Sequence, residues 1–508
     1  MAMSSKKKYA AIMARHRMLV LIWLLQIVAE ALALYGIWQL DMLPQKYFLA
    51  LCGGFAVLIL LTGILLLPVR TGRLQGAAGV ILSVLVFALS CVASLMILDA
   101  RGTIANVVGQ VSNRATVGVY VQKDDPAKTL EDAAGYEFGV VSGYETERIQ
   151  EAVDAMEEDL GVTLRVNEYV TADALVNAFF DGEVQALIIN SAYVDIMEEI
   201  EGCEDFRSRV RMLHEVKINS WNNVLDKNDN TAVQKGDSIS KEPFVIYISG
   251  SDTRDKTLST SRSDVNILAV VNPESRQILL LNTPRDYYIP NPVSSVGTKD
   301  KLTHCGIYGI EVSMEALSNL YDVDVDYYAQ INFTGFETLI DAIGGITVYS
   351  DVAFNTADSY HIEQGENKFD GAEALSFARE RKRLPGGDNA RGQNQMKVIK
   401  AVISKMTSGT TIISNYTDIM ESLEGMFATS LSMTEISSLV KMQLNDMKEW
   451  NIQSFAVTGF DDSDYTYSAP GTKLYVMVPD DEMVARASEL IDSVMAGMVI
   501  TEADVSVE

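Results

Sequence analysis

With 508 residues the chain is long enough for two or three domains, because a single hydrophobic core stops growing near roughly 250 to 300 residues. Its 68 acidic residues outnumber 41 basic ones, a net charge of -27, and this excludes general nucleic-acid binding, which needs a broad positive surface. Any anionic ligand must therefore meet a local basic pocket. Of the 4 cysteines, Cys52 and Cys91 fall inside apolar runs, which leaves Cys203 and Cys305 as candidates for an extracytoplasmic bridge and excludes a disulfide framework.

Three apolar runs open the chain, Met18 to Trp38, Tyr47 to Pro68 and Gly76 to Leu98, each close to the ~20 residues that cross a bilayer core. They predict a three-span anchor over residues 1–99 instead of a cleaved signal peptide. Lys6, Lys7, Lys8, Arg15 and Arg17 precede the first span, and Arg70 and Arg73 separate the second from the third. The positive-inside rule then puts the N-terminus in the cytoplasm and everything after about Asp99 outside a cell membrane. Glu30 lies one turn after Gln26 inside the first span. A carboxylate facing lipid there costs on the order of 3 kcal/mol, so this polar face is expected to pack against the other spans or a partner helix.

Residues 100–218 read as a soluble α/β module. ATVGVYV, YEFGVVSG, TLRVNEYV and QALIIN are strands, and helices are expected over about Glu145 to Leu160, Ala172 to Phe180 and from Tyr193. Strands alternating with helices predict a largely parallel sheet. The order, with FGVVSGYETE followed by NAFFDGEVQALIINSAY, resembles one lobe of a periplasmic solute-binding protein, in which the turn Ser142 to Thr146 would hold an anionic group on backbone N–H groups. Only one lobe's worth of elements is present, which favours a spacer or protein-contact module over a working receptor. Residues 219–241 are polar, lack apolar periodicity and read as a linker.

The third module spans 242–500, followed by a tail, 501–508. FVIYISG delivers Asp252, Arg254 and Asp255 at a strand end, SRSD places Arg262 and Asp264 before the strand VNILAVVN, and QILLLNTPRD ends in Arg285 and Asp286. Three strands thus carry an acid and an arginine at a terminus, where open α/β sheets keep active-site groups. Farther on, SFARERKRLPGGDNARGQNQ concentrates Arg379, Arg381, Lys382, Arg383 and Arg391. Arg379 and Arg381 face the same way only in extended chain, so the helix beginning near Gly371 is predicted to end by Ala378 or Arg379. Arg391 and Gln395 share a face of the next helix. DVDVD, Asp322 to Asp326, begins like a calcium loop but has Tyr327 where glycine is wanted and Phe333 where the closing glutamate belongs, so it is expected to lead into a strand.

GSDTRD, SRSDVNILAVVN, LNTPRD, KLTHCGIYG, DYYAQINFTGFETLIDAIGGITV and FDGAEALSFARER followed by DNARGQNQ, in this order, resemble the LytR-CpsA-Psr family. The resemblance implies an α/β domain with a mixed central sheet flanked by helices. It implies a membrane-anchored phosphotransferase that moves an anionic glycopolymer from a polyprenyl (undecaprenyl) pyrophosphate carrier to a peptidoglycan acceptor outside the membrane. By it, Arg254, Arg262, Arg285, Arg379, Arg381, Arg391 and Gln395 bind the pyrophosphate, and Asp252 and Asp264 hold Mg²⁺ or Mn²⁺, while Lys382 and Arg383 read as a solvated rim. Asp252, Asp264 and Arg285 would act in catalysis, with the general base left open among Asp252, Asp264 and Asp255. Lys301 and His304 match a stretch near the acceptor. Asn394 stands where the family usually has arginine, and Thr303 where it usually has asparagine. A hydrolase using the same pocket and a non-catalytic lipid-carrier or sensory scaffold remain open alternatives.

Overall fold

The computed structural model describes residues 2–69, 72–107, 114–142, 146–219, 235–251, 258, 260–408, 415, 418–419 and 423–506. Three long helices come first, α1 (Ala2–Leu40), α2 (Gln45–Leu66) and α3 (Arg73–Val107), each long and apolar enough to cross a membrane. Most of their large apolar side chains point outward, while Gln26, Glu30, Thr62, Ser83 and Ser90 are buried inside the bundle. Gln26 Nε2 donates to Glu30 Oε1 at 2.7 Å, so the polar face of the first span turns inward, where apolar surroundings strengthen that bond.

The middle module is a five-stranded sheet with the order β3-β2-β4-β1-β5, built from β1 (Arg114–Gln122), β2 (Glu137–Val141), β3 (Arg165–Tyr169), β4 (Ala186–Asn190) and β5 (Val210–Asn219). Helices α4 (Thr146–Leu160) and α5 (Ala172–Phe180) follow β2 and β3. The expected largely parallel sheet is corrected at β1, which runs antiparallel to both β4 and β5, whereas β2 pairs parallel with β3 and β4. Residues 123–136, which join β1 to β2, form only turns and loop. The helix expected from Tyr193 is only a short 3₁₀ turn, Ser191–Tyr193, and the four-residue helix Val194–Met197. The proposed anion turn falls on 143–145, outside the described residues, as does most of the 219–241 linker.

The third module is organised on a six-stranded sheet. Its strands are β6 (Phe244–Ser251), β7 (Val265–Asn272), β8 (Gln277–Asn282), β9 (Tyr327–Asn332), β10 (Phe427–Thr429) and β11 (Asn451–Ala456), ordered β10-β9-β6-β7-β8-β11. The pairing is mixed: β9 to β6 and β8 to β11 are parallel, and the rest are antiparallel. The central strands β7 and β8 are almost wholly buried, as their continuous apolar sequence requires when both sheet faces are covered. Helix α6 (Ile310–Tyr321) and the C-terminal helix Asp481–Met495 cover one face, and residues of the helix Gly387–Thr407 cover the other. The DVDVD stretch leads into β9 as expected. Asp322 closes α6 in a left-handed conformation, and Asp326 accepts the Val245 N–H at 2.8 Å. Residues 501–508, read as a tail, include the short helix Glu502–Val505, whose Asp504 carbonyl accepts from Arg486 at 2.9 Å. Cys203 and Cys305 are buried free thiols, pushed up from their ordinary pKa by burial.

Both soluble modules are fastened to their neighbours. Ser437 Oγ donates to the Leu40 carbonyl at 3.1 Å, and Lys441 pairs with Asp41, tying the helix Met433–Asp446 to the turn between α1 and α2. Ala192, Tyr193 and Ile196 of the middle module form one buried apolar cluster with Ile307, Ala469 and Leu474, and the hydroxyls of Tyr193 and Tyr308 lie 2.8 Å apart.

Helix α7 (Phe333–Ala342) packs against α8 (Gly371–Arg379) at Gly371, where an added Cβ would sit 2.1 Å from the Glu337 carbonyl oxygen. Gly371→Ala is therefore expected to lower the melting temperature, because overpacking against backbone costs about 1 to 3 kcal/mol. An unchanged thermal transition in the full chain would contradict this packing.

Candidate active site

Antiparallel pairing gathers the site. Gly250 near the end of β6 lies opposite Val265 at the start of β7, and Ile267 lies opposite Asn282 at the end of β8. Segments distant in sequence therefore converge at one sheet end, and the Asp264 N–H donates to the Gly250 carbonyl at 2.9 Å. This brings Arg285 Nη1 to 3.0 Å from Asp264 Oδ1, while Arg285 Nε lies 3.4 Å from Asp286.

Helix α8 stops where the charge pattern predicts. A capping box of Asp370 and Glu373 starts it, and Glu380 ends it in extended conformation, with φ -66° and ψ 130°. The buried Glu380 carboxylate accepts the backbone N–H groups of Ala357, Arg381 and Arg383 at 2.7 to 3.2 Å, which fixes the turn and holds its pKa down despite burial. Arg379 and Arg381 consequently reach the same cavity, Arg379 stacked 4.5 Å over the Phe333 ring. Gly386 and Gly387, both at positive φ (98° and 54°), turn the chain into α9 (Gly387–Thr407). One turn into α9, Arg391 pairs with Asp388 at 2.6 Å, and Gln395 follows on the same face.

The result is a cavity of about 610 Å³ whose lining includes Asp264, Arg285, Arg379, Arg381, Arg391 and Gln395. Its lining is otherwise mostly apolar, including Ile331, Phe333, Phe336, Leu375 and Val398, with Ser249, Asn332 and Glu380 among them. Lys382 and Arg383 also line it but are exposed, as a rim should be. Burial pushes the Asp264 carboxyl up, yet the Arg285, Arg262 and Arg391 guanidiniums outweigh it and hold the pKa below the usual carboxylate range. Arg391 shows the opposite strain. Burial lowers its pKa, and the like charges of Arg285 and Arg381 add to this against the pull of Asp388 and Asp264. A largely buried guanidinium set beside two like charges, as Arg391 is, favours an anion next to it.

Arg262 is the exception to the predicted set. It does not line the cavity; its Nη1 lies 2.9 Å from Glu199 and its Nε 3.3 Å from Asp195, both in the middle module. Two carboxylates on the neighbouring module hold it there more strongly than one shared Asp264 could. Asp252, Arg254 and Asp255 lie outside the described residues. Asn394 is buried and donates weakly, at 3.5 Å, to the Phe377 carbonyl, so it supplies packing in place of a charge. Thr303 is buried.

A second cleft, about 590 Å³, shares Arg285, Arg381 and Lys382 with the first and is walled by Glu199, Asp286, Lys301 and Asp388 among others. Lys301 Nζ lies 2.6 Å from Glu199 and 3.3 Å from Asp286. His304 is fully buried, its Nδ1 2.8 Å from Asp300 and its Nε2 4.0 Å from Glu199. Burial lowers its pKa, but these two carboxylates prevail and raise it. Sequence reasoning missed Asp388 and Glu199 as partners of the site. The i,i+3 spacing from Asp388 to Arg391 was a usable signal, whereas nothing in sequence ties Glu199 to residues a hundred positions away.

Among the described residues no group of three or more His, Cys, Asp or Glu side chains is placed to hold a metal. Of the expected carboxylate pair, Asp264 is described: it lines the cavity and its pKa is held low, the form a Mg²⁺ ligand would need, since Mg²⁺ typically takes one or two carboxylates.

Residues 211–481 match the model of the LytR_cpsA_psr family. The chain is 31% identical over 271 residues to a polyisoprenyl-teichoic acid–peptidoglycan teichoic acid transferase TagU of Halalkalibacterium halodurans, covering 52% of this chain and 83% of the relative. It is 34% identical over 201 residues to the TagU of Enterococcus faecalis, covering 39% of this chain and 65% of that relative. Among solved structures, B. subtilis TagV is 25% identical with a TM-score of 0.42, covering 51% of this chain and 99% of that one. The family match spans more than half of the sequence and contains every cavity-lining arginine, and the chain belongs to the LytR-CpsA-Psr family.

Proposed function

We propose that this protein transfers an anionic glycopolymer, of the teichoic acid or capsule class, from a polyprenyl (undecaprenyl) pyrophosphate carrier to peptidoglycan on the outer side of a cell membrane. The carrying observation is one cavity lined by Arg285, Arg379, Arg381, Arg391 and Asp264 together with a mostly apolar wall. A prenyl pyrophosphate has this division, a strongly charged head on a hydrocarbon chain. Guanidinium groups bind phosphate oxygens in pairs and keep their charge when buried. The names of the TagU relatives support the choice of donor and acceptor. The turn at Leu40 to Lys46 touches the third module, which supports placing that turn and the catalytic domain on one side, with the N-terminus opposite.

In this mechanism the arginines hold the pyrophosphate so that the acceptor sugar hydroxyl meets the phosphorus bearing the glycopolymer. The hydroxyl oxygen forms the new P–O bond, and the bond to the bridging oxygen breaks. Polyprenyl phosphate leaves with that electron pair, and the hydroxyl proton passes to a carboxylate, one of Asp252, Asp255 or Asp264. Asp264, with Asp252, would hold Mg²⁺ or Mn²⁺, which supplies charge neutralisation on the departing phosphate.

Incubating the purified chain with a polyprenyl-pyrophosphate-linked sugar, Mg²⁺ and a glycan acceptor tests this. Conjugate is the expected product. Release of free phosphorylated sugar would instead identify a hydrolase, and retention of donor without turnover would identify a binding scaffold.

A further inference from the structure

The middle module lies outside most of the family match, yet it places a carboxylate in the second cleft, which shares Arg285 and Arg381 with the arginine cavity. Glu199 follows the short helix Val194–Met197, whose neighbour Tyr193 is bonded to Tyr308 in the apolar seam between the modules. From Glu199 a row of alternating charges runs into the cavity. Its Oε2 lies 2.6 Å from Lys301 Nζ, Lys301 lies 3.3 Å from Asp286, Asp286 lies 3.4 Å from Arg285 Nε, and Arg285 Nη1 lies 3.0 Å from Asp264. The Lys301 side chain is only 4% exposed and that of Asp286 11%, so water screens these pairs little. The same Glu199 carboxylate holds Arg262 away from the cavity through Oε1 at 2.9 Å.

We propose that Glu199 is a positioning residue of the transfer site, setting the place of Arg285 through Lys301 and Asp286, so that the middle module completes the pyrophosphate pocket. This rests on the proposed function only for what the pocket binds. Lys301 is a buried ammonium shared between two carboxylates. With Glu199 neutral, Asp286 is its one remaining ion-pair partner among the described residues, and the ammonium draws Asp286 away from Arg285. Arg285 then turns towards Asp264, and its guanidinium no longer presents the same face to the cavity. Charges in a closely spaced, poorly screened row answer one another in this way, whereas a surface ion pair would not.

The test is the affinity of full-length protein in detergent for farnesyl pyrophosphate, read by calorimetry, with melting temperature measured alongside. Glu199→Gln keeps the side chain's shape and removes its charge. It is expected to weaken binding about tenfold, within the usual range of couplings between sites. Glu199→Gln combined with Lys301→Gln removes both ends of the disturbed pair, leaves Asp286 to Arg285, and is expected to recover most of that loss. Tyr193→Phe loosens the same interface without touching the charge row and is expected to bind as the wild type does. Wild-type affinity in Glu199→Gln, or a double variant no better than the single one, overturns the proposal. So does a loss of affinity that merely follows a loss of folded protein which Tyr193→Phe reproduces. If wild type forms no glycan conjugate while this pattern of affinities holds, the failure belongs to the proposed reaction and not to the role of Glu199.

Discussion

Asp264→Asn is expected to lower conjugate formation by roughly 100-fold to 1000-fold, the range seen when one preorganised charged group is removed from an active site. The variant keeps the shape of the side chain but removes the carboxylate that lies 3.0 Å from Arg285 Nη1. It also removes a proposed metal ligand and leaves more uncompensated positive charge among Arg285, Arg391 and Arg381. Stability should respond with a defined sign. The folded pKa of Asp264 is depressed, so its stabilisation is fully present above the unfolded carboxylate value near about 3.9 and is lost as pH falls through the lower folded value. The melting temperature of wild type should therefore exceed that of Asp264→Asn by a constant margin from neutral pH down to about 4, and the two should converge below. Parallel curves across the whole acid range, with full transfer activity in the variant, would remove Asp264 from the site.

Arg391→Gln should separate the protein's own stability from its stability with ligand. In wild type, farnesyl pyrophosphate is expected to relieve the repulsion of Arg391 by Arg285 and Arg381, and at 100 times its dissociation constant a ligand stabilises by about 2.7 kcal/mol. The melting temperature should rise by several degrees. Arg391 is held at one end by Asp388 and crowded by Arg285 and Arg381, so its loss removes repulsion along with one ion pair. The free variant should melt close to wild type, while most of the ligand-induced rise disappears. A rise equal to the wild-type value would mean that the anion binds elsewhere.

What could be determined without the fold was whatever local chemistry controls. The three spans follow from unbroken apolar length, β7 and β8 from continuous buried runs, and the end of α8 at Arg379 from the demand that two arginines two positions apart face one ligand. The α8 reading succeeds because the backbone obeys a local device, the Glu380 carboxylate accepting three N–H groups around the turn. That Arg391 and Gln395 line the same cavity follows from helical period alone.

Only the tertiary structure decided which charges meet. Asp264 and Arg285 are 21 residues apart and come together because β7 pairs with β6 on one side and β8 on the other. The sense of β1, antiparallel to both β4 and β5, is set by which strands it lies between, and strand composition does not record that. Arg262 carries the same residue type as its neighbours in the motif, yet Asp195 and Glu199 take it, because an ion pair depends on distance in space and local screening and neither is written in sequence separation.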